Sequence, residues 1–412
     1  MTRKKILILL VTLLLVSFAA VGGNQAARYN ARFIPIPLKI NIGPPYHFNN
    51  QLQELTTYNI KGVKELRSIS SGYLSKILRI TLSSDGDYLL FVNDNGYLFK
   101  WDIFNGQEIE SYEIGAVVPA ALNFNRDGSR LLVPYMVTDD EKIIGVKIWD
   151  TRTGIVLYCN GVKGDCPVDY NWDIAQDGYF LDPTGKWLLG YFIDYESDLN
   201  TKRDRAYSLS EVVIHDITNP APPTNIDGAF ELQSLDSDFK YFGDKNAELI
   251  ALTTDIETQY VAYAFANGVV RIRTVHDPIP LSTTVSPYQL DYQQVLQKER
   301  VNVTDIQIDD TRTWLATLTD KYLVVWNLQR GSFFPLKIKN NTNDGIALSF
   351  DHTGRLLFVA AKDKIITYNL SSGKAITTIS TNQISSLYVS RDNRSLIWGD
   401  NTGIIHLFGI EE

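Results

Sequence analysis

Residues 81–102, TLSSDGDYLLFVNDNGYLFKWD, read as three short strands joined by two tight turns. Asp and Asn in such turns bond their own backbone, and Gly accepts the positive φ that tight turns require. A unit this small buries one face only against neighbours, so a chain built from it must repeat it.

It does repeat. The first turn recurs as SSDG at 83–86, NRDG at 125–128, DPTG at 182–185, TDIET at 254–258, DDTR at 309–312, DHTG at 351–354 and SRDN at 390–393. An apolar strand follows each turn, then a second turn, then a strand ending in an aromatic or polar pair. A fourth strand usually comes next, as in QEIESYEI at 107–114 and KAITTIS at 374–380. Counted at the last turn residue, the spacing runs from 39 (354 to 393) to 73 (185 to 258). Short strands at this period, with no helical periodicity between them, predict an all-β fold. The expected architecture is a seven-bladed β-propeller of four-stranded antiparallel blades.

The run SSDGDYLLFVNDNGYLFKWD resembles a WD40 repeat, and the resemblance extends over about residues 63–412. Trp101-Asp102, Trp149-Asp150 and Trp326-Asn327 carry it, with the turns Asp94-Asn95-Gly96 and Asp400-Asn401-Thr402-Gly403. The departures are specific. No repeat opens with the family's Gly-His pair, so the buried Asp–His–Ser/Thr–Trp hydrogen-bond set of that family cannot form. His215-Asp216 and Arg273-Thr274 stand at two closing positions. The chain reads as a divergent member whose partners do not follow from the family.

The sequence stops just after the third strand of the last repeat. VKELRSISS at 63–71 has the pattern of the missing fourth strand and is expected to complete that blade, closing the ring. A competing reading joins 58–69 into two strands of a partial eighth blade. Before it, residues 28–62 read as an extended, proline-containing spacer, with prolines at 35, 37, 44 and 45. Residues 1–27 begin with Arg3, Lys4 and Lys5 and continue with an apolar run at 6–21. That is the pattern of a cleaved signal peptide or an uncleaved N-terminal membrane anchor, and either exports the body to the medium, periplasm or cell envelope.

Export gives the two cysteines a context. Cys159 and Cys166 are seven apart and are expected to form a disulfide bond, two reduced thiols being the alternative. Neither a metal site nor any other cofactor is expected. The formal net charge of −8 argues against nucleic acid as a partner, since phosphate recognition needs a basic face. The ring is expected to be monomeric, touching a membrane only through an uncleaved N-terminus.

Long insertions fall at 160–178, 194–210, 227–247 and 286–302. Each joins an outer strand to the next inner one, or a second strand to a third, so all lie on one face, over blades 2–5. Long loops on a rigid scaffold carry binding. Tyr and Trp beside polar groups are the composition of binding surfaces, as they are of loops that pack themselves down. The expected binding residues are Tyr170, Trp172, Tyr195, Asp198, Arg203, Arg205, Tyr207, Phe239 and Tyr241.

Catalytic signatures are absent: no Gly-x-Ser-x-Gly elbow, no His-Glu-x-x-His, no phosphate loop. His352 reads as a structural residue of a tight turn, and the pairs Asp139-Asp140 and Asp309-Asp310 as solvated turn residues, acid/base groups or calcium ligands being the alternative. The expected function is therefore an exported, non-catalytic, protein- or peptide-binding scaffold. A propeller-type hydrolase or lyase using acids of the same face, perhaps on a glycan, is the alternative, and a structural part of an envelope complex a third reading.

Overall fold

A computed structural model describes most of residues 52–411. Outside the described residues lie 1–51, 116–121, 137–143, 161–177, 197–205, 217–229, 233–248, 255–259, 266–269 and 275–302, with several shorter breaks. The chain is an all-β propeller of small antiparallel sheets. Among the described residues, six sheets have four strands and one has three, and in six of them the strands pair in simple chain order. The first sheet runs Ile77–Leu82, Tyr88–Asn93, Tyr97–Asp102 and Gln107–Glu113. The second and third span 123–160 and 178–232, and the three-stranded sheet spans 249–274. Two more span 303–337 and 345–380. The innermost strands of neighbouring sheets pack on one another from the third sheet through the second, first, seventh, sixth and fifth to the fourth.

The exception to chain order is the last sheet. Its strands Ile384–Val389, Ser395–Asp400 and Ile404–Gly409 are completed by Lys64–Ser70. That strand pairs antiparallel with the last, Lys64 opposite Gly409 and Ser70 opposite Ile404. Both ends of the repeat region are thus held in one sheet, as the KELRSIS pattern predicts. The preceding residues belong to the body as well. Leu52 bridges to Glu411, and Leu52, Leu55 and Ile60 are buried beneath the last sheet. The extended spacer expected over 28–62 therefore gives way to packed chain from Leu52 onward.

Between sheets, apolar side chains interdigitate. Ile69, Ile397, Ile405 and Leu407 of the last sheet meet Ile77, Leu89, Phe91 and Phe99 of the first. Phe91 and Phe99 stack with centroids 4.9 Å apart. Similar cores join the first sheet to the second and the second to the third. Others join the fourth to the fifth, the fifth to the sixth and the sixth to the last. A buried side chain of this kind contributes about 1.5–3 kcal/mol, so the radial packing is the main source of cohesion.

The first turns form as their residues dictate. Asp309 accepts from the backbone N–H groups of Thr313 and Trp314 at 2.8 and 2.6 Å, and Asp351 from Arg355 and Leu356 at 2.8 Å each. Where a hydroxyl stands instead, Ser390 accepts from Ser395 at 2.8 Å. The last turn residue is left-handed in each of these turns among the described residues, which suits Gly86, Gly128, Gly185 and Gly354.

His406 ties the closing strand in place. Its Nδ1 lies 2.8 Å from Glu65 of that strand, its Nε2 lies 3.8 Å from Asp400, and its ring stacks on Trp398. Burial alone would lower its pKa, but hydrogen bonds to Asp400 and Glu65 carry it above the ordinary histidine value. A raised histidine stabilises the fold fully below the unfolded value, about 6.5, and loses that contribution as pH rises through the folded value. The melting-temperature deficit of a His406→Gln variant should therefore be largest in mild acid and fade in mild alkali. A deficit that is flat with pH would contradict this role.

Candidate functional site on the propeller axis

Each sheet's innermost strand has a free edge facing the centre, and an unpaired edge is unstable unless something covers it. Here the cover comes from the neighbouring sheet. Arg79 of the first sheet donates through Nε to the Leu122 carbonyl of the second at 2.8 Å. Asn123 of the second donates to the Leu181 carbonyl of the third at 3.4 Å. In the fifth sheet, Gln307 donates to the Leu348 carbonyl at 2.6 Å, while Asp305 accepts from the Leu348 N–H at 2.7 Å. Ser385 of the last sheet donates to the Ile77 carbonyl of the first at 2.7 Å. Each bond satisfies a backbone group whose loss would cost about 1–3 kcal/mol.

A repeated irregularity aims these side chains. The inner strands carry a β-bulge at matching positions: Ile77/Arg79, Leu249/Ala251, Val303/Asp305, Gly345/Ala347 and Ile384/Ser386. A bulge turns the following side chain out of strict alternation. The residue so turned is Arg79 in the first sheet and Asp305 in the fifth. Their sheets are not neighbours, yet each guanidinium or carboxylate feels the other. They can meet only across the axis. Burial lowers Arg79 from its ordinary value, and Asp305 opposes this. Burial likewise pushes Asp305 up to about 6, against the Leu348 N–H and Arg79.

A second charged tier closes the end of the axis on the face of the first turns. It is built from the second residue of those turns: Arg126 from NRDG, Asp310 from DDTR and His352 from DHTG. Arg126, in the second sheet, pairs with Asp310 of the fifth, and Asp310 also pairs with the His352 imidazole of the sixth. The Arg126 Nη2 lies 2.6 Å from His352 Nδ1. The His352 backbone N–H is held by Asn393 at 2.9 Å. Desolvation, then the charges of Arg126 and Arg391, push the imidazole down to about 4, so it is neutral at ordinary pH. Arg126 Nε and Nη1 and His352 Nε2 are buried with no hydrogen-bond partner among the described residues. Buried polar groups of this kind are costly to leave without partners.

The sequence reading placed function elsewhere. Tyr170, Trp172, Asp198, Arg203, Arg205, Phe239 and Tyr241 lie outside the described residues, as does Cys166. Tyr195 and Tyr207 are brought together: they are direct cross-strand partners in the third sheet. Much of the 194–210 stretch, expected as a loop, is a continuation of the strands Trp187–Glu196 and Ala206–Asp216, with a bulge after Phe192. Cys159 is buried and lies 4.0 Å from the Tyr135 hydroxyl. Asp310, expected as a solvated turn residue, is instead joined to the turn residue His352. Asp309 is buried as a turn cap. Nothing in the local sequence distinguishes these from ordinary turn residues. The available signal was positional: charged groups fill the second place of several equivalent turns. No group of His, Cys, Asp and Glu among the described residues could hold a metal ion. None of their helices is long and apolar enough to cross a membrane.

The indole N–H groups of Trp101, Trp149 and Trp326 are buried without a hydrogen-bond partner among the described residues. The hydrogen-bond set that the Trp-Asp pairs suggest is thus missing at those three positions, in keeping with the absent Gly-His pairs. No protein-family model matches the chain, and no curated protein matches it in sequence.

The axial lock gives a testable coupling. Replacing Asp310 by Ala leaves the Arg126 charge uncompensated in a largely buried place, a loss of about 2–3 kcal/mol. The double variant Arg126→Met, Asp310→Ala should recover most of that loss in chemical denaturation. Strictly additive effects would contradict a cross-axis pair.

Proposed function

We propose that this chain is an exported, non-catalytic propeller that binds a protein or peptide on the face bearing its insertions. The observation that carries this reading is the hairpin Trp187–Glu196 with Ala206–Asp216. Its strands have ten and eleven residues, against six in most others. The inner strand of the sheet pairs no further than Tyr191. Residues 192–196 continue beyond it, which at about 3.3 Å per residue is a projection of roughly 16 Å. The projection lies on the side of the second-to-third turns, the side of the other insertions, and holds Tyr195 opposite Tyr207. A long hairpin arm on one face of a ring, with tyrosines in its sequence, suits partner recognition.

The same reading takes the architecture as a closed ring of seven WD40-like blades. The seven recurring turns and the unbroken packing from the third sheet round to the fourth support that number. It takes Cys159 and Cys166 as a disulfide that staples the first insertion to the second sheet. The buried Cys159, the absence of any free cysteine among the described residues and a total of two cysteines support the pairing.

Replacing residues 197–205 by Asn-Gly should leave the melting curve unchanged and abolish crosslinked capture of the partner from envelope or medium. An identical set of captured proteins would count against the proposal. In the same preparations, reduction should raise the intact mass by about 2 Da and expose two thiols to alkylation. Thiols that react without reductant would rule out the pairing.

A further inference from the structure

Residues 34–42, IPIPLKINI, hold a strand pattern with one working edge. Ile34, Ile36, Leu38, Ile40 and Ile42 alternate with Pro35, Pro37, Lys39 and Asn41. Successive residues of a strand direct their backbone groups to opposite edges, as they direct their side chains to opposite faces. Pro35 and Pro37 therefore remove two N–H groups from the same edge, while the even-numbered residues leave the other edge intact. A strand of that kind fits at the rim of a sheet, with its proline edge turned to solvent. Its five aliphatic side chains form one apolar face, which is unfavourable in water unless covered.

The body offers a matching edge close to where this segment joins it. Leu52 lies in the core between the last sheet and the first, and Leu55 and Ile60 in the core between the sixth and the last. The chain thus crosses the last sheet coming from the side of the first. Ten residues separate Ile42 from Leu52, a reach of up to about 33–36 Å. The first sheet's outer strand, Gln107–Glu113, has no further strand on its outer edge among the described residues, and six of its seven residues are exposed. It carries Glu108, Glu110 and Glu113, of which Glu110 also accepts from the Tyr112 hydroxyl and lies 3.9 Å from Lys100. The chain before Glu54 has no acidic residue, and Arg28, Arg32 and Lys39 lie in or just before the strand pattern. Exposed aliphatic side chains stand on the same rim: Ile109 on this strand, Ile155 and Leu157 on the outer strand of the second sheet. Gly154, next to Ile155, abuts the Tyr112 ring. The direction follows as well. Leu52 bridges to Glu411 and Leu55 donates its N–H to the Asn393 carbonyl of a first turn, so the segment ends on the first-turn side, where Gln107 begins its strand. We infer that residues 34–42 add to Gln107–Glu113 as an antiparallel fifth strand, bonded through their even-numbered edge. Lys39 then lies toward Glu108 and Glu110, and Arg32 toward Glu113. This docking is independent of the protein-binding arm.

Residue-level amide exchange on the purified protein tests this. In the wild type, the N–H groups of Ile36, Leu38 and Ile40 should exchange slowly and those of Lys39 and Asn41 fast, since only the even-numbered edge is bonded. Replacing 33–42 by a Gly-Ser stretch of equal length should speed exchange within Gln107–Glu113 by roughly tenfold or more and leave Ile404–Gly409 as it was. A second copy of the chain could take the same edge, and dilution separates the two cases: protection within one chain does not depend on protein concentration. Fast exchange throughout 34–42 would overturn the inference. So would slow exchange without the even–odd alternation, an unchanged Gln107–Glu113 after the replacement, or protection that is lost on dilution.

Discussion

The pairing of Lys64–Ser70 with Ile404–Gly409 is the interaction on which the rest depends. Radial sheets pack face to face and each leans on the next, so an arc of them has two exposed apolar faces at its ends. Packing the last sheet, completed by Lys64–Ser70, on the first covers one such face on each of them. The pairing also pins sequence-distant segments: Leu52 beside Glu411, Lys64 paired with Glu411, and Glu65 hydrogen-bonded to His406. The entropy of closing so long a loop grows only slowly with length, so one well-packed strand suffices to hold it.

Closure creates an axis, and the axis sets a second constraint. Inner strands bring their free edges together at the centre, where water access is narrow. Arg79, Asn123, Asp305, Gln307 and Ser385 satisfy those edges from the neighbouring sheet. The same residues, and the turn residues one tier away, then confront each other across the centre. The pair Arg126 with Asp310, and the electrostatic influence of Arg79 and Asp305 on each other, join sheets that are not neighbours. The polar organisation of the axis thus follows from the convergence of the inner strands.

Much of this was legible in the chain. The turn residues and the spacing between them specify four-stranded antiparallel sheets, and KELRSIS matches KAITTIS closely enough to reveal the closing strand. The indole N–H groups of Trp101, Trp149 and Trp326 have no hydrogen-bond partner among the described residues. The axial site was not legible, for two reasons. A bulge at Ile77/Arg79 or Val303/Asp305 breaks the alternation by which a strand's faces are read. The pairing of Arg126 with Asp310 joins residues 184 positions apart, and no local pattern encodes which turns face each other across a ring. The arm was half legible: residues 194–210 stood out as an insertion, but ESDLNTKRDR between two apolar runs hid how far the strands Trp187–Glu196 and Ala206–Asp216 continue.

The most direct test of the central claim is to delete residues 64–70 and follow melting together with amide exchange. If this strand closes the ring, the melting temperature should fall by roughly 4 °C or more, since about 3 kcal/mol or more of packing is lost. Exchange should quicken in the last sheet and also in the first, whose inner strand packs against it. An unchanged melting curve, or quickening confined to Ile404–Gly409, would show that the sheets stand without closure and would contradict the account.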